Sequence, residues 1–214
     1  MRLFSESQKR DRHSSRYVNE PINNLTITEE GTHKLLNNIQ TSKATGPDNL
    51  PNRVLNECSI EMAPAIRAIF QKSIDSGTLP GDWTNANVAP IFKKGGIHQP
   101  SYYRPVSLTS VLSKLLEHIV CKHMRNHFER NHILISLNHG FRTGYSCETQ
   151  LAVTIDDLAR NFDNNLQTDI AILDFSKDFD TVPYTKLLHK LEAYYIRGNL
   201  YQWIKSFYAT GKCG

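Results

Sequence analysis

One stretch, residues 170–183, constrains the fold of this chain most strongly. It reads Ile-Ala-Ile-Leu-Asp-Phe-Ser-Lys-Asp-Phe-Asp-Thr-Val-Pro. Its apolar start, residues 170–173, is short and rich in β-branched side chains, which favours a buried strand over a helix. Asp174 follows where such a strand would leave the core. Hard cations such as Mg²⁺ bind carboxylate oxygens, so the stretch predicts either a metal site or a solvated acidic turn.

The rest of the chain predicts helices around one β-hairpin. Strands are expected at residues 86–92 and 103–108, joined by a turn at residues 93–96. Thr26 and Glu29 fit a capping box for a helix that runs through Ile39. Apolar spacing predicts further helices at residues 51–58, 62–76, 112–128, 151–162, 187–191 and 200–207. Helices, a hairpin, more helices and then a strand make an α+β fold.

Composition excludes a membrane-spanning protein and argues against a secreted one. The mean hydropathy is −0.45, and no apolar run approaches the roughly 20 residues that cross a bilayer. Residues 1–17 lack the apolar core of a signal peptide. The four cysteines are scattered without a Cys-x-x-Cys pair, which indicates a reduced, intracellular setting in the nucleus or cytoplasm. Nothing in the sequence indicates a protein partner.

Charge is distributed unevenly along the chain. Residues 93–130 contain seven Lys or Arg and two Glu, whereas residues 148–180 contain eight Asp or Glu and two Lys or Arg. The basic segment could neutralise phosphates, and the acidic one could hold cations. Ordinary surface variation is the alternative.

Histidines on the helix at residues 112–128 raise a second metal hypothesis. His123 and His127 are four residues apart, a spacing that can bind zinc. No cysteine or acidic residue completes a ligand set, so half-buried or RNA-facing side chains are the favoured interpretation.

Five motifs follow one another along the chain. They are K-A-T-G-P-D at 43–48, V-A-P-I-F-K-K-G at 88–95, Y-R-P-V-S-L-T-S at 103–110, H-G-F-R-x-G-x-S-C-x-T-Q-L at 139–151 and L-D-F-S-K-D-F-D-T-V-P at 173–183. In order and spacing they resemble the reverse transcriptases of LINE-type retrotransposons, which lack long terminal repeats. That family's first catalytic motif reads L-D-F-S-K-A-F-D-T-V-P, and the resemblance extends from about residue 25 to residue 208.

The resemblance implies roles for the acidic stretch. Asp174 would be a catalytic carboxylate that binds Mg²⁺, and Phe175 would lend its backbone carbonyl to the metal. Phe179 would contact the incoming deoxynucleotide as an aromatic gate against a ribose 2′-hydroxyl. Asp178 and Asp180 are weaker ligand candidates, and Asp180 could instead cap the following segment.

The resemblance also implies binding residues elsewhere. Lys93 and Lys94, at the hairpin tip, and Arg104, on the return strand, would meet the nucleoside triphosphate; the alternative is a solvated hairpin. Phe141 and Arg142 would contact the template strand by base stacking or phosphate binding. A purely structural role in anchoring their loop is the equal alternative.

Three departures shape the functional expectation. Asp178 stands where the family has Ala, and Tyr195 where it usually has Gly. The family's second motif contains paired aspartates, whereas the pair Asp156-Asp157 lies in a predicted helix ahead of the first motif. The chain is therefore expected to hold part of a right-hand polymerase: a linker or disordered tail at residues 1–24, fingers at 25–165 and the first part of the palm at 166–214.

Three functions remain open at this point. The first is a partial RNA-directed DNA polymerase, which uses an RNA template, a DNA primer, deoxynucleoside triphosphates and Mg²⁺, and which is inactive as this chain alone. The second is a non-catalytic RNA- or DNA-binding remnant, or a domesticated fragment, with a vestigial acidic site. The third is an inert remnant without a stable fold, prone to aggregate through an open sheet edge.

Overall fold

The computed structural model describes residues 21–175 and 181–210. These residues form two compact units. The amino-terminal unit comprises residues 21–124 and 187–210, and the central unit comprises residues 125–175 and 181–186.

Four helices build the core of the amino-terminal unit. They are α1 (Glu29–Asn37), α2 (Asn52–Glu57), α3 (Ser59–Ser76) and α7 (Gly198–Thr210). Helix α3 contacts each of the other three. Leu36, Leu55, Phe70 and Leu200 are completely buried in this unit. Since each fully buried apolar side chain contributes roughly 1.5–3 kcal/mol, this core is the main source of the unit's stability.

The ends of these helices follow the capping chemistry of the sequence with one correction. Thr28, not the predicted Thr26, caps α1, and its hydroxyl accepts a hydrogen bond from the Gly31 amide at 3.1 Å. Thr28 is the residue next to the first helical turn, so its oxygen can reach the free amides there. Gly77 ends α3 with a φ of 63°, which confirms the predicted stop.

A two-stranded antiparallel hairpin completes the amino-terminal unit. Strand β1 (Ala86–Phe92) pairs with β2 (Tyr103–Thr109), and Ala86 lies opposite Thr109. Short 3₁₀ helices precede each strand, at Gly81–Thr84 and Pro100–Tyr102. The hairpin is the only sheet in the part of the chain that the structure describes, and with the surrounding helices it confirms the predicted α+β class.

The central unit is helical, and nearly all of its described side chains are exposed or half-buried. Helix α4 (Val111–Arg130) begins in the amino-terminal unit and ends in the central one. Helix α6 (Tyr184–Ala193) begins in the central unit and ends in the amino-terminal one. Between them lies α5 (Cys147–Asp163), which Ser146 caps. Among the described residues of the central unit, His127 is the only buried side chain. The unit therefore has no apolar core of its own within those residues.

The prediction of a strand at residues 170–173 is wrong. These residues are irregular, and Ile172 and Leu173 are 90% and 83% exposed. A strand needs a neighbour to satisfy its backbone amides and carbonyls. In the described residues, both paired strands belong to the hairpin, so the apolar run has no partner strand.

Of the linker predicted at residues 1–24, residues 1–20 lie outside the described residues. Beyond them, Ile22 forms a parallel bridge with Ile196. Its amide donates to the Tyr195 carbonyl at 3.0 Å, and its carbonyl accepts from the Arg197 amide at 2.8 Å. The start of the amino-terminal unit is thus joined to the loop between α6 and α7. No helix in the described part of the chain is long and apolar enough to cross a membrane.

Candidate functional site

The hairpin tip presents the two predicted lysines. Lys93 and Lys94 are exposed directly after β1, and the Lys93 amide donates to the Tyr102 carbonyl at 2.8 Å, which extends the ladder by one bond. Gly95 has a φ of 98°, and a Cβ on it would lie 2.8 Å from the Tyr102 ring. Only glycine fits this turn without strain, and the turn leaves Lys93 and Lys94 exposed to solvent.

Arg104 lies on the same ribbon as these lysines. It pairs with Ile91 in the strand register and is exposed. Because side chains alternate along a strand, Ile91, Lys93 and Arg104 share one face of the ribbon. Residues 86–110 contain no Asp or Glu. Lys93 and Arg104 therefore give this face two positive charges and no opposing carboxylate, so it can attract phosphate groups.

The loop at residues 138–146 contains the other predicted pair. Arg142 points inward, and its side chain is only 10% exposed. Its Nε and Nη2 donate to the two carboxylate oxygens of Glu129, at 2.9 and 2.8 Å. Its Nη1 donates to the carbonyls of Ile135 and Asn138, at 3.0 and 3.4 Å. The hydrogen bond from Arg142 lowers the pKa of Glu129, and the carboxylate in turn raises the pKa of Arg142.

Phe141 points the opposite way. Its side chain is 80% exposed, and its backbone has a φ of 60°. The loop around it is held by local contacts: His139 Nδ1 lies 2.8 Å from Thr149 Oγ1, and its ring meets the Tyr145 ring edge-on at 4.7 Å. The predicted pair therefore separates into one enclosed guanidinium and one exposed phenyl ring.

The acidic stretch is only partly described. Asp174 and Phe175 lie exposed on the irregular segment before residue 176, and Phe179, Asp178 and Asp180 lie outside the described residues. Within the part of the chain that the structure describes, no group of three His, Cys, Asp or Glu side chains could hold a metal ion. The described part of the motif at 173–183 offers one carboxylate, Asp174, which alone does not fit a two-metal site. The histidines of α4 form no such group either.

The predicted residues are distributed over both units. Lys93, Lys94 and Arg104 belong to the amino-terminal unit, whereas Phe141, Arg142 and Asp174 belong to the central unit. Sequence reasoning missed Glu129. The signal for it was weak, because its partner lies 13 residues away across a loop, and a Glu near a helix end is usually a solvated side chain.

Comparison with known proteins supports the resemblance of the motifs. A family model described as reverse transcriptase (RNA-dependent DNA polymerase) matches residues 91–214, more than half of the chain. The probable RNA-directed DNA polymerase from transposon BS of Drosophila melanogaster is 26% identical over 173 residues, which cover 80% of this chain and 19% of that protein.

Two polymerases of the mobile element jockey are similar to the same extent. Those of Drosophila melanogaster and Drosophila funebris are each 26% identical, over 85% and 87% of this chain, and in both cases the match covers 20% of the relative. The chain spans about one fifth of the length of the curated relatives it matches. The chain belongs to the reverse transcriptase family, and it resembles the members encoded by mobile elements.

Proposed function

We propose that the chain supplies part of the fingers and palm of a reverse transcriptase, and that it contacts nucleic acid and nucleotide there. In this proposal residues 25–165 belong to the fingers and residues 166–214 to the first part of the palm. The substrates are an RNA template, a DNA primer and deoxynucleoside triphosphates. The observation that carries the proposal is the basic hairpin face, because it occurs within motifs that match the family in order and spacing.

The hairpin is assigned to the triphosphate. Lys93 and Lys94 would provide point charges, and Arg104 a planar fork that can bind two phosphate oxygens at once. Phe179 is proposed to act against a ribose 2′-hydroxyl, as its position in the motif indicates. Phe141 and Arg142 are assigned to the template side.

Asp174 is proposed as the catalytic carboxylate, with Mg²⁺ held by its oxygens and by the Phe175 carbonyl. In the complete family this metal would stabilise the charge that develops during nucleotidyl transfer. The described residues alone do not complete such a site. We propose that this chain binds nucleic acid without extending a primer.

Binding to a fluorescent template–primer tests the hairpin assignment. Affinity should fall as salt rises, and Arg104→Ala should reduce the salt slope by roughly 0.7–0.9, the value for one lost phosphate contact. Lys122→Ala is the matched control, because it removes an exposed charge from α4 in the same unit. Equal effects of the two substitutions would contradict a specific role for the hairpin.

Primer extension tests the catalytic assignment. The expected result with Mg²⁺ and deoxynucleotides is no product. Extension that Asp174→Ala abolishes would show that these residues suffice for catalysis, against the proposal.

A non-catalytic nucleic-acid-binding module is the second candidate. It needs only the exposed basic residues of the hairpin, Lys93, Lys94 and Arg104. In that case binding would depend on salt and Arg104, and neither Mg²⁺ nor Asp174→Ala would change it.

A further inference from the structure

Arg142 has its hydrogen-bonding capacity engaged within the protein. A guanidinium carries five N–H donors, and the four contacts to Glu129, Ile135 and Asn138 use all three of its nitrogens. Its Cζ also lies 4.4 Å from the centre of the Tyr145 ring. To bind a phosphate, this side chain would have to give up a bidentate ion pair from a nine-tenths buried position.

Phe141 is the strained residue of the same loop. Bulky L-residues rarely adopt a φ of 60°, because Cβ then approaches the following carbonyl. Such strain persists only where the surroundings impose it. Here the inward neighbour Arg142 and the fixed His139 lie on either side of the residue pair Gly140-Phe141. The result is a phenyl ring that is 80% exposed, in a loop tied down by the hydrogen bonds of His139 and Arg142.

An outward aromatic ring on a fixed backbone is suited to stack against an unpaired base. Every base offers an aromatic face, so this contact tolerates any sequence. A rigid platform also loses less conformational entropy on binding than a mobile one. Both features match the combination of exposure and constraint at Phe141.

We propose that Phe141 is a stacking platform for an unpaired base of single-stranded nucleic acid, and that Arg142 and Glu129 position it without touching the nucleic acid. This inference rests on the proposed function, since it names one contact of that binding. It assigns to Arg142 a role that differs from the phosphate contact its charge suggests.

The test measures binding of a labelled single-stranded RNA to the full chain over a series of salt concentrations. Phe141→Ala should weaken binding about tenfold, as expected for one lost base–aromatic stack, and Phe141→Trp should retain the affinity. Phe162→Ala is the matched control, because that ring is 82% exposed on α5 of the same unit, and it should leave binding unchanged.

Arg142→Ala separates positioning from phosphate contact. If Arg142 positions Phe141, its loss weakens binding with an unchanged salt slope, and adding Phe141→Ala causes no further loss. Glu129→Gln, which leaves the arginine charge in place, should weaken binding as well. A slope that falls by about 0.7 with Arg142→Ala would show a phosphate contact and would overturn the positioning role.

An RNA with abasic sites identifies the stacking partner. The parent chain should lose affinity for it, whereas Phe141→Ala should bind it as it binds the normal RNA. If the parent binds RNA and Phe141→Ala binds equally well, only this inference fails. If the parent binds no single-stranded nucleic acid at any salt concentration, the inference fails together with the proposed function.

Discussion

Trp203 donates its indole N–H to the hydroxyl of Ser73 at 3.0 Å, across 130 residues of sequence. Both side chains are buried. The Ser73 hydroxyl in turn donates to the Thr78 carbonyl at 2.6 Å, so it acts as donor and acceptor at once. This bond links α3 to α7 inside the core of the amino-terminal unit.

Ser73→Ala should destabilise the amino-terminal unit by about 1–3 kcal/mol, because it leaves the buried indole N–H without a partner. Urea unfolding monitored by tryptophan fluorescence measures this change. Ser101→Ala, at an exposed site, should change stability by less than about 0.5 kcal/mol. In a Trp203→Phe background the cost of Ser73→Ala should shrink, and an undiminished cost would show that the bond is not its origin.

Gly46→Ala should also destabilise the amino-terminal unit. A Cβ at Gly46 would lie 2.6 Å from the Thr109 carbonyl oxygen and 2.7 Å from the Ser110 amide. Backbone atoms cannot move aside as a flexible side chain can, so we expect a loss of roughly 1–3 kcal/mol, typical of overpacking. Gly81→Ala is the control, since nothing lies within 4 Å of its added methyl group. Equal stability of the two variants in urea unfolding would contradict this packing.

Local patterns predicted the elements whose identity depends on near neighbours. The hairpin was predicted because its two strand segments and the glycine turn between them lie within 24 residues, from Ala86 to Thr109. The stop of α3 was predicted because Gly77 carries that information alone. The packing of Gly46 on the end of β2 was not, since only the folded chain brings those segments together.

Two expectations show where local patterns fail. The composition of residues 170–173 is that of a strand, yet strand formation depends on a partner that composition does not reveal. For Arg142 the sequence left a nucleic-acid contact and a structural role in its loop equally open, and only the position of Glu129 shows that the guanidinium is enclosed. The position of Lys93, Lys94 and Arg104 on the hairpin could be predicted from sequence, because near neighbours form that hairpin. Their contact with a triphosphate stays a prediction.

Tyr195→Gly should stabilise the loop between α6 and α7. Tyr195 has a φ of 62°, in the region where glycine is less strained than other residues, and the family usually has Gly there. The relief of about 1–2 kcal/mol exceeds the 0.4–1 kcal/mol or so that a new glycine costs through the unfolded chain. Thermal unfolding should therefore show a higher midpoint. Tyr194→Gly, at a residue without positive φ, should lower it, and a lower midpoint for both would contradict the argument.

Helix α5 should exchange its amide hydrogens much faster than α3. Its apolar side chains Leu151, Ile155 and Phe162 are 59%, 55% and 82% exposed, and a helix of this length is marginal in water without packing. Phe70 and Ile74 of α3 are buried, so that helix opens only with its unit. Hydrogen exchange followed by mass spectrometry compares the two directly. Equal protection would show that α5 is covered in solution, and no protection in either helix would favour the inert remnant.

The stabilisation that Glu117 contributes to the amino-terminal unit should be lost as pH rises. Burial raises the pKa of its carboxyl group, against the opposing hydrogen bond from the Ser113 hydroxyl at 2.9 Å. The folded state therefore binds this proton more tightly than the unfolded state. The resulting stabilisation is complete below the unfolded pKa of about 4.3 and is lost as pH rises through the higher folded pKa.

Glu117→Gln removes this titration, so the stability of the parent relative to the variant should decline from acidic to neutral pH. Urea unfolding at a series of pH values measures the difference. Glu129 provides the opposite case, because the hydrogen bond from Arg142 lowers its pKa. Its contribution is present above the unfolded pKa and is lost as pH falls through the folded one, and amide exchange in the loop at residues 138–146 should report it. If Glu117→Gln and the parent have parallel pH profiles, the carboxyl group is solvated and the buried position assigned to it is wrong.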